Sequence, residues 1–230
     1  FASNSGTVTF NGASTSAISN TGSGSFNNLT INNSAATDAV TLNNSITVDG
    51  TITFTDGHVV SSSSSPLIIE TSGVVSGVSD ASYVEGPVAK NTNSTANFVF
   101  PVGDDNAYRP IEVTPSSTDA TTFTGRYYRA SQSLGSGLGA GIDHISSSEY
   151  WEMERSAGTA NADVILTWDA NSQVDNLTEL RVAQFDGSNW IDKGNDGTTG
   201  APAAGTITIN AVSSFITKNF ILASSTANNQ

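Results

Sequence analysis

A chain of 230 residues suits one large all-β domain or two modest ones, and its 37% of hydrophobic residues fall in short Val-, Ile-, Thr- and Phe-rich runs that can bury a core. Only 13% of residues are charged, and the net charge of −13, from 21 acids against 8 bases, argues against nucleic acid and against anionic membrane surfaces, both of which need clustered Lys and Arg. Cysteine is absent and no run approaches the ~20 apolar residues of a membrane-spanning helix, a combination that suits an exported bacterial protein without disulfides.

The chain starts Phe1-Ala2-Ser3-Asn4 and leads straight into strand-like sequence, with no signal peptide, as a mature form or a fragment would. Apolar triplets then recur: Val8-Thr9-Phe10, Leu29-Thr30-Ile31, Val40-Thr41-Leu42, Ile46-Thr47-Val48, Ile52-Thr53-Phe54, Leu67-Ile68-Ile69 and Val74-Val75. Asn32-Asn33, Asn43-Asn44, Asp49-Gly50, Asp56-Gly57 and Ser72-Gly73 separate them. Strands this short, joined by residues that tolerate tight or left-handed corners and repeating roughly every 20 residues, predict a short parallel β-solenoid. A sandwich of very short strands is the alternative.

Residues 1–85 contain no Lys or Arg, and the first base is Lys90. This shift of composition, with Gly86-Pro87 and the polar run from Asn91 to Thr95, predicts a linker-like boundary within 84–97. The expected division is a solenoid-like domain over 1–90 and an antiparallel β-sandwich over 91–230. In the second part the strands lengthen: 98–100, 111–113, 122–129, 150–155, 163–168, 180–185, 190–191, 206–209 and 215–222. Alternation in Val164-Ile165-Leu166-Thr167-Trp168 predicts one buried and one wet face, and Asp186-Gly187-Ser188-Asn189 reads as a hairpin turn.

Several strings resemble large surface proteins exported by the bacterial type IX secretion system. They are Phe26-Asn27-Asn28-Leu29-Thr30-Ile31-Asn32-Asn33 and Ile46-Thr47-Val48-Asp49-Gly50-Thr51-Ile52-Thr53-Phe54 among the repeats. Tyr83-Val84-Glu85-Gly86-Pro87-Val88, Phe100-Pro101-Val102-Gly103 and Tyr108-Arg109-Pro110 resemble their junction, and Tyr150-Trp151-Glu152 with Val212-Ser213-Ser214-Phe215 resembles the following β domain. The resemblance implies a secreted or cell-surface location and an adhesin-like or scaffold role; it fixes no ligand and no catalytic residue.

Candidate sites are few. His58 and His144 have no second ligand at metal spacing, and no G-x-S-x-G elbow is present. Gly135-Ser136-Gly137-Leu138-Gly139-Ala140 has the letters of a dinucleotide fingerprint, but no helix pattern follows it, so a loop is expected. Glu149, Glu152 and Glu154 are the densest carboxylates; on a strand, Glu152 and Glu154 share a face opposite Trp151, Met153 and Arg155. Asp104 and Asp105, beside Asn106, are a candidate Ca²⁺ site. The second acidic string, Asp186 to Asp196, fails the EF-hand pattern, since Gly194 and Ala203 stand at its third and twelfth positions counted from Asp192. Arg109 is expected to pair with a carboxylate. Among Tyr127, Tyr128, Trp151, Trp168 and Trp190, Trp190 beside its turn is the expected exposed aromatic for stacking a sugar.

The sequence therefore predicts a non-enzymatic structural or adhesive protein of the bacterial surface. The solenoid starts without a visible cap, which predicts association end to end into a fibre, or a place within a longer adhesin. A carbohydrate-binding module, with surface glycans as partners, is the alternative.

Overall fold

The computed structural model describes residues 5–20, 22, 24–35, 38–215 and 217–227. The start of the chain at residues 1–4, read above as a mature or fragment end, lies outside them. The chain is nearly all β, with a solenoid of about four turns followed by antiparallel, sandwich-like sheets.

The first coil supplies β1 (Thr7–Gly12) and β2 (Ser16–Ile18). The second supplies β3 (Asn28–Asn33), β4 (Val40–Leu42) and β5 (Ile46–Val48), and the third β6 (Thr51–Asp56), β7 (Val59–Val60) and β8 (Leu67–Ile69). The fourth supplies β9 (Val74–Ser76), β10 (Val84–Glu85) and β11 (Val88–Thr92). The second, third and fourth coils each add one parallel strand to each of three sheets, and the first adds one to the first two: β1-β3-β6-β9, β2-β4-β7-β10 and β5-β8-β11. The pairing is in register, so side chains stack in ranks. Val8, Leu29, Ile52 and Val75 form one inward rank and Thr9, Thr30, Thr53 and Ser76 an outward one. The triplets thus become coils because the same apolar residue recurs at the same place in each turn.

The corners follow the Asn and Gly signals. Asn33 is buried, and its side-chain amide donates to the Ser14 and Ala39 carbonyls while its Oδ1 accepts from the Ala35 N–H at 3.0 Å. Gly57 turns the next coil at φ +86°; a Cβ there would lie 2.1 Å from the Asn33 carbonyl oxygen.

Beyond the solenoid come β12 (Phe98–Val99), β13 (Val102–Asp104), β14 (Ala107–Tyr108), β15 (Ile111–Pro115), β16 (Thr121–Tyr128), β17 (His144–Ile145), β18 (Tyr150–Ala157) and β19 (Ala162–Asp169). A single 3-10 turn, Ala170–Ser172, precedes β20 (Leu180–Phe185), β21 (Trp190–Gly194), β22 (Gly197–Ala201), β23 (Ala204–Val212) and β24 (Asn219–Ser224).

The stretch 84–97 contains two strands where a linker was expected. β10 pairs parallel with β13, extending the second solenoid sheet. β11 pairs parallel with β8 on one side and antiparallel with β16 on the other. Through that strand the third solenoid sheet runs on as β16-β18-β24-β20-β21 without a break. The opposing sheet, β12-β15-β19-β23-β22, closes the sandwich. One apolar cluster extends from Ile18 through Ile69 and Phe123 to Leu222, so both regions share a core. Each fully buried aliphatic or aromatic side chain in it contributes about 1.5–3 kcal/mol.

Lys90 sits in that core, 6% exposed, where it follows Val48 and Ile69 in an inward rank. Its ammonium donates to the carbonyls of Glu70 (2.6 Å) and Gly73 (2.8 Å) and lies 5.0 Å from the Phe98 ring centre. Burial lowers its pKa, with the Glu70 charge opposing. The first base of the sequence is the plug at the end of an apolar rank.

Candidate functional site

A second polar group is buried where the sandwich meets the solenoid. Arg109, just after β14, places Nε 3.4 Å from Glu149 Oε2 and ion-pairs with Asp169 through Nη2. Tyr127 donates its hydroxyl to the same Glu149 oxygen at 2.8 Å, Ser172 donates to the other, and the Trp151 indole donates to the Arg109 carbonyl at 3.2 Å. Arg109, Tyr127, Glu149 and Ser172 are all buried. Burial pushes the Glu149 carboxyl up, against the pull of Ser172, Arg109 and Tyr127. At Asp169, burial is overridden by Arg109, which holds that carboxyl below its ordinary value. The network links residues of both sheets, and removing Arg109 or Glu149 leaves the other charge buried. The carboxylate partner expected for Arg109 is present twice.

The other two carboxylates of that string lie outside. On the outer face of the continuous sheet, Arg126 of β16 is opposite Glu152 of β18, and Tyr128 is opposite Tyr150. The two tyrosine rings stack at 4.5 Å, and the Arg126 guanidinium lies 4.2 Å above Tyr128. Glu152 accepts from the Tyr128 hydroxyl at 3.1 Å and pairs with Lys218 at 3.2 Å. Thr124, Arg126, Glu152 and Glu154 form the floor of a groove of ≈ 210 Å³, walled by Pro66 and Pro87 from the solenoid corners.

Trp190 is not the exposed aromatic that its turn position suggested. The hairpin forms, with the Asp186 N–H bonded to the Asn189 carbonyl at 2.9 Å, but Trp190 is fully buried. The loop through Gly135 and Leu138 folds over it: the indole donates to the Gly135 carbonyl at 3.1 Å, and Phe185, Ile221 and Ala223 complete its surroundings. Trp151 and Trp168 are buried too, so none of the three indoles offers a sugar a face.

Asp104 and Asp105 build a turn. Asp105 (φ 48°) and Asn106 (φ 59°) are consecutive left-handed residues between β13 and β14, as a type I′ hairpin requires. The Asp104 carboxylate accepts the Arg129 N–H at 3.0 Å. Among the described residues no three His, Cys, Asp or Glu side chains come together as a metal site. Asp186 accepts backbone N–H groups within its own turn, Asp192 accepts from Gly194, and Asp196 accepts from Asn210 of β23. His58 stacks on Tyr83 at 4.0 Å and His144 contacts its neighbour Asp143.

The last feature is an edge. The Gly6 and Gly12 carbonyls accept from Asn28 and Ser34, which turns the backbone groups of Gly6, Val8, Phe10 and Gly12 toward β3. Those of Thr7, Thr9 and Asn11 face the other way, where β1 has no strand partner among the described residues. The strand carries no charge and no proline, the usual means of discouraging a further strand.

No known protein family, no curated protein and no solved structure matches this chain.

Proposed function

We propose that this is a non-enzymatic structural or adhesive protein of the bacterial cell surface, extended end to end by strand addition at β1. The observation that carries the reading is the β1 edge, which has no strand partner among the described residues: the N–H and C=O groups of Thr7, Thr9 and Asn11 face outward on an uncharged strand of a four-stranded parallel sheet. Val8 and Phe10, packed against the solenoid core but only partly buried, add apolar surface at the same end. A strand supplied by a neighbouring copy covers both, and a heterologous contact of that kind propagates into a fibre. The cysteine-free, hydroxyl-rich composition and the resemblance to type IX-exported surface proteins support the location.

Electron microscopy of the purified protein tests the reading. Strings or fibres that lengthen with concentration are expected; isolated particles at every concentration count against it.

A further inference from the structure

We propose that the groove between the solenoid corners and the outer face of the continuous sheet binds one ring of an uncharged sugar. This goes beyond the structural role and does not depend on it.

The side chains of the groove that have no partner in the fold point there. The Arg126 guanidinium lines it without a hydrogen bond or ion pair among the described residues; its Nε is enclosed, so the two terminal nitrogens are the donors a ligand reaches. The Glu154 carboxylate and the Thr124 hydroxyl have no partner among the described residues either. A donor, an acceptor and a hydroxyl that close together suit a ligand whose neighbouring groups both donate and accept, which is what adjacent sugar hydroxyls do. The Pro66 and Pro87 rings offer apolar surface to the C–H face of such a ring. Charge narrows the class further: Arg126 and Lys218 balance Glu152 and Glu154, so the site gives no net preference for an ionised ligand. Size narrows it again, since ≈ 210 Å³ is below the roughly 300–1,000 Å³ of drug-sized pockets. A peptide adding as a strand is disfavoured, because β16 and β18 are hydrogen-bonded on both sides.

The test is an NMR titration of the intact protein with methyl glycosides of glucose, galactose and mannose, and with glucuronate. At least one neutral glycoside is expected to give saturable shifts at the amides of Thr124, Arg126, Glu152 and Glu154, with Kd on the order of 1 mM. Glu154→Gln, which alters a side chain with no partner in the fold, is expected to weaken binding roughly tenfold, and Thr124→Val likewise. Absence of saturation with every neutral glycoside, tighter binding of glucuronate, or unchanged affinity in both variants would overturn the proposal. None of these outcomes bears on the β1 edge, which lies in another sheet.

Discussion

Arg109 Nε and Glu149 Oε2 lie 3.4 Å apart inside the protein, joining the turn after β14 to the start of β18, with Asp169 at the end of β19 in the facing sheet and Ser172 of the 3-10 turn held beside them. Removing one partner leaves the other charge buried. Glu149→Ala is expected to cost about 3–5 kcal/mol and Glu149→Gln less, because the amide keeps an acceptor for Tyr127. Urea denaturation measures both; equal midpoints for the two variants would place the energy elsewhere.

The same group makes stability depend on pH in two opposed ways. Asp169, depressed by Arg109 despite its burial, contributes stability that is complete above the ordinary Asp value of ~3.9 and lost as pH falls through its folded value. Glu149, raised by burial, does the reverse: stability declines as pH climbs from the ordinary Glu value of ~4.3 through its folded value. Melting temperature against pH should therefore lose its acid-side fall in Asp169→Asn and its fall on the rising side in Glu149→Gln. Superimposable profiles for all three proteins would contradict this assignment.

Lys90→Met keeps an unbranched side chain, one heavy atom shorter, and removes the donor to the Glu70 and Gly73 carbonyls. A loss of about 1–3 kcal/mol is expected, read from thermal or urea unfolding. A stabilised variant would mean that burying the ammonium costs more than its hydrogen bonds return.

At Gly57 the backbone is left-handed and the Asn33 carbonyl blocks a side chain. Gly57→Ala is expected to destabilise by about 2–3 kcal/mol, and unfolding midpoints within error of wild type would show that the corner yields.

The solenoid was legible because its information is local: a triplet, a corner, a triplet. Strands of two residues, such as β7 at Val59–Val60 and β10 at Val84–Glu85, show no period and became visible only through their partners in the neighbouring coil. Lys90 shows the limit of composition. The charge pattern changes there, yet Val88 pairs with Leu67 and Gly125, contacts 21 and 37 residues away that no neighbouring residue announces. Trp190 was misplaced for a similar reason: its turn is local, but the loop that covers it begins some fifty residues earlier. Alternation correctly put Glu152 and Glu154 on one face. That Arg126 stands opposite Glu152, and that solenoid prolines wall the same groove, required the register of β16 with β18.

The open edge of β1 is tested most directly by Thr9→Pro. Its N–H points away from β3, so the proline removes a donor from the open side while the existing ladder stays intact. Sedimentation velocity over a wide concentration range, with melting temperature as the check on folding, is the deciding measurement. The wild-type protein is expected to associate with concentration and Thr9→Pro to remain monomeric at an unchanged melting temperature. A wild-type protein that stays monomeric throughout, or a folded variant that associates equally well, would contradict end-to-end growth through β1.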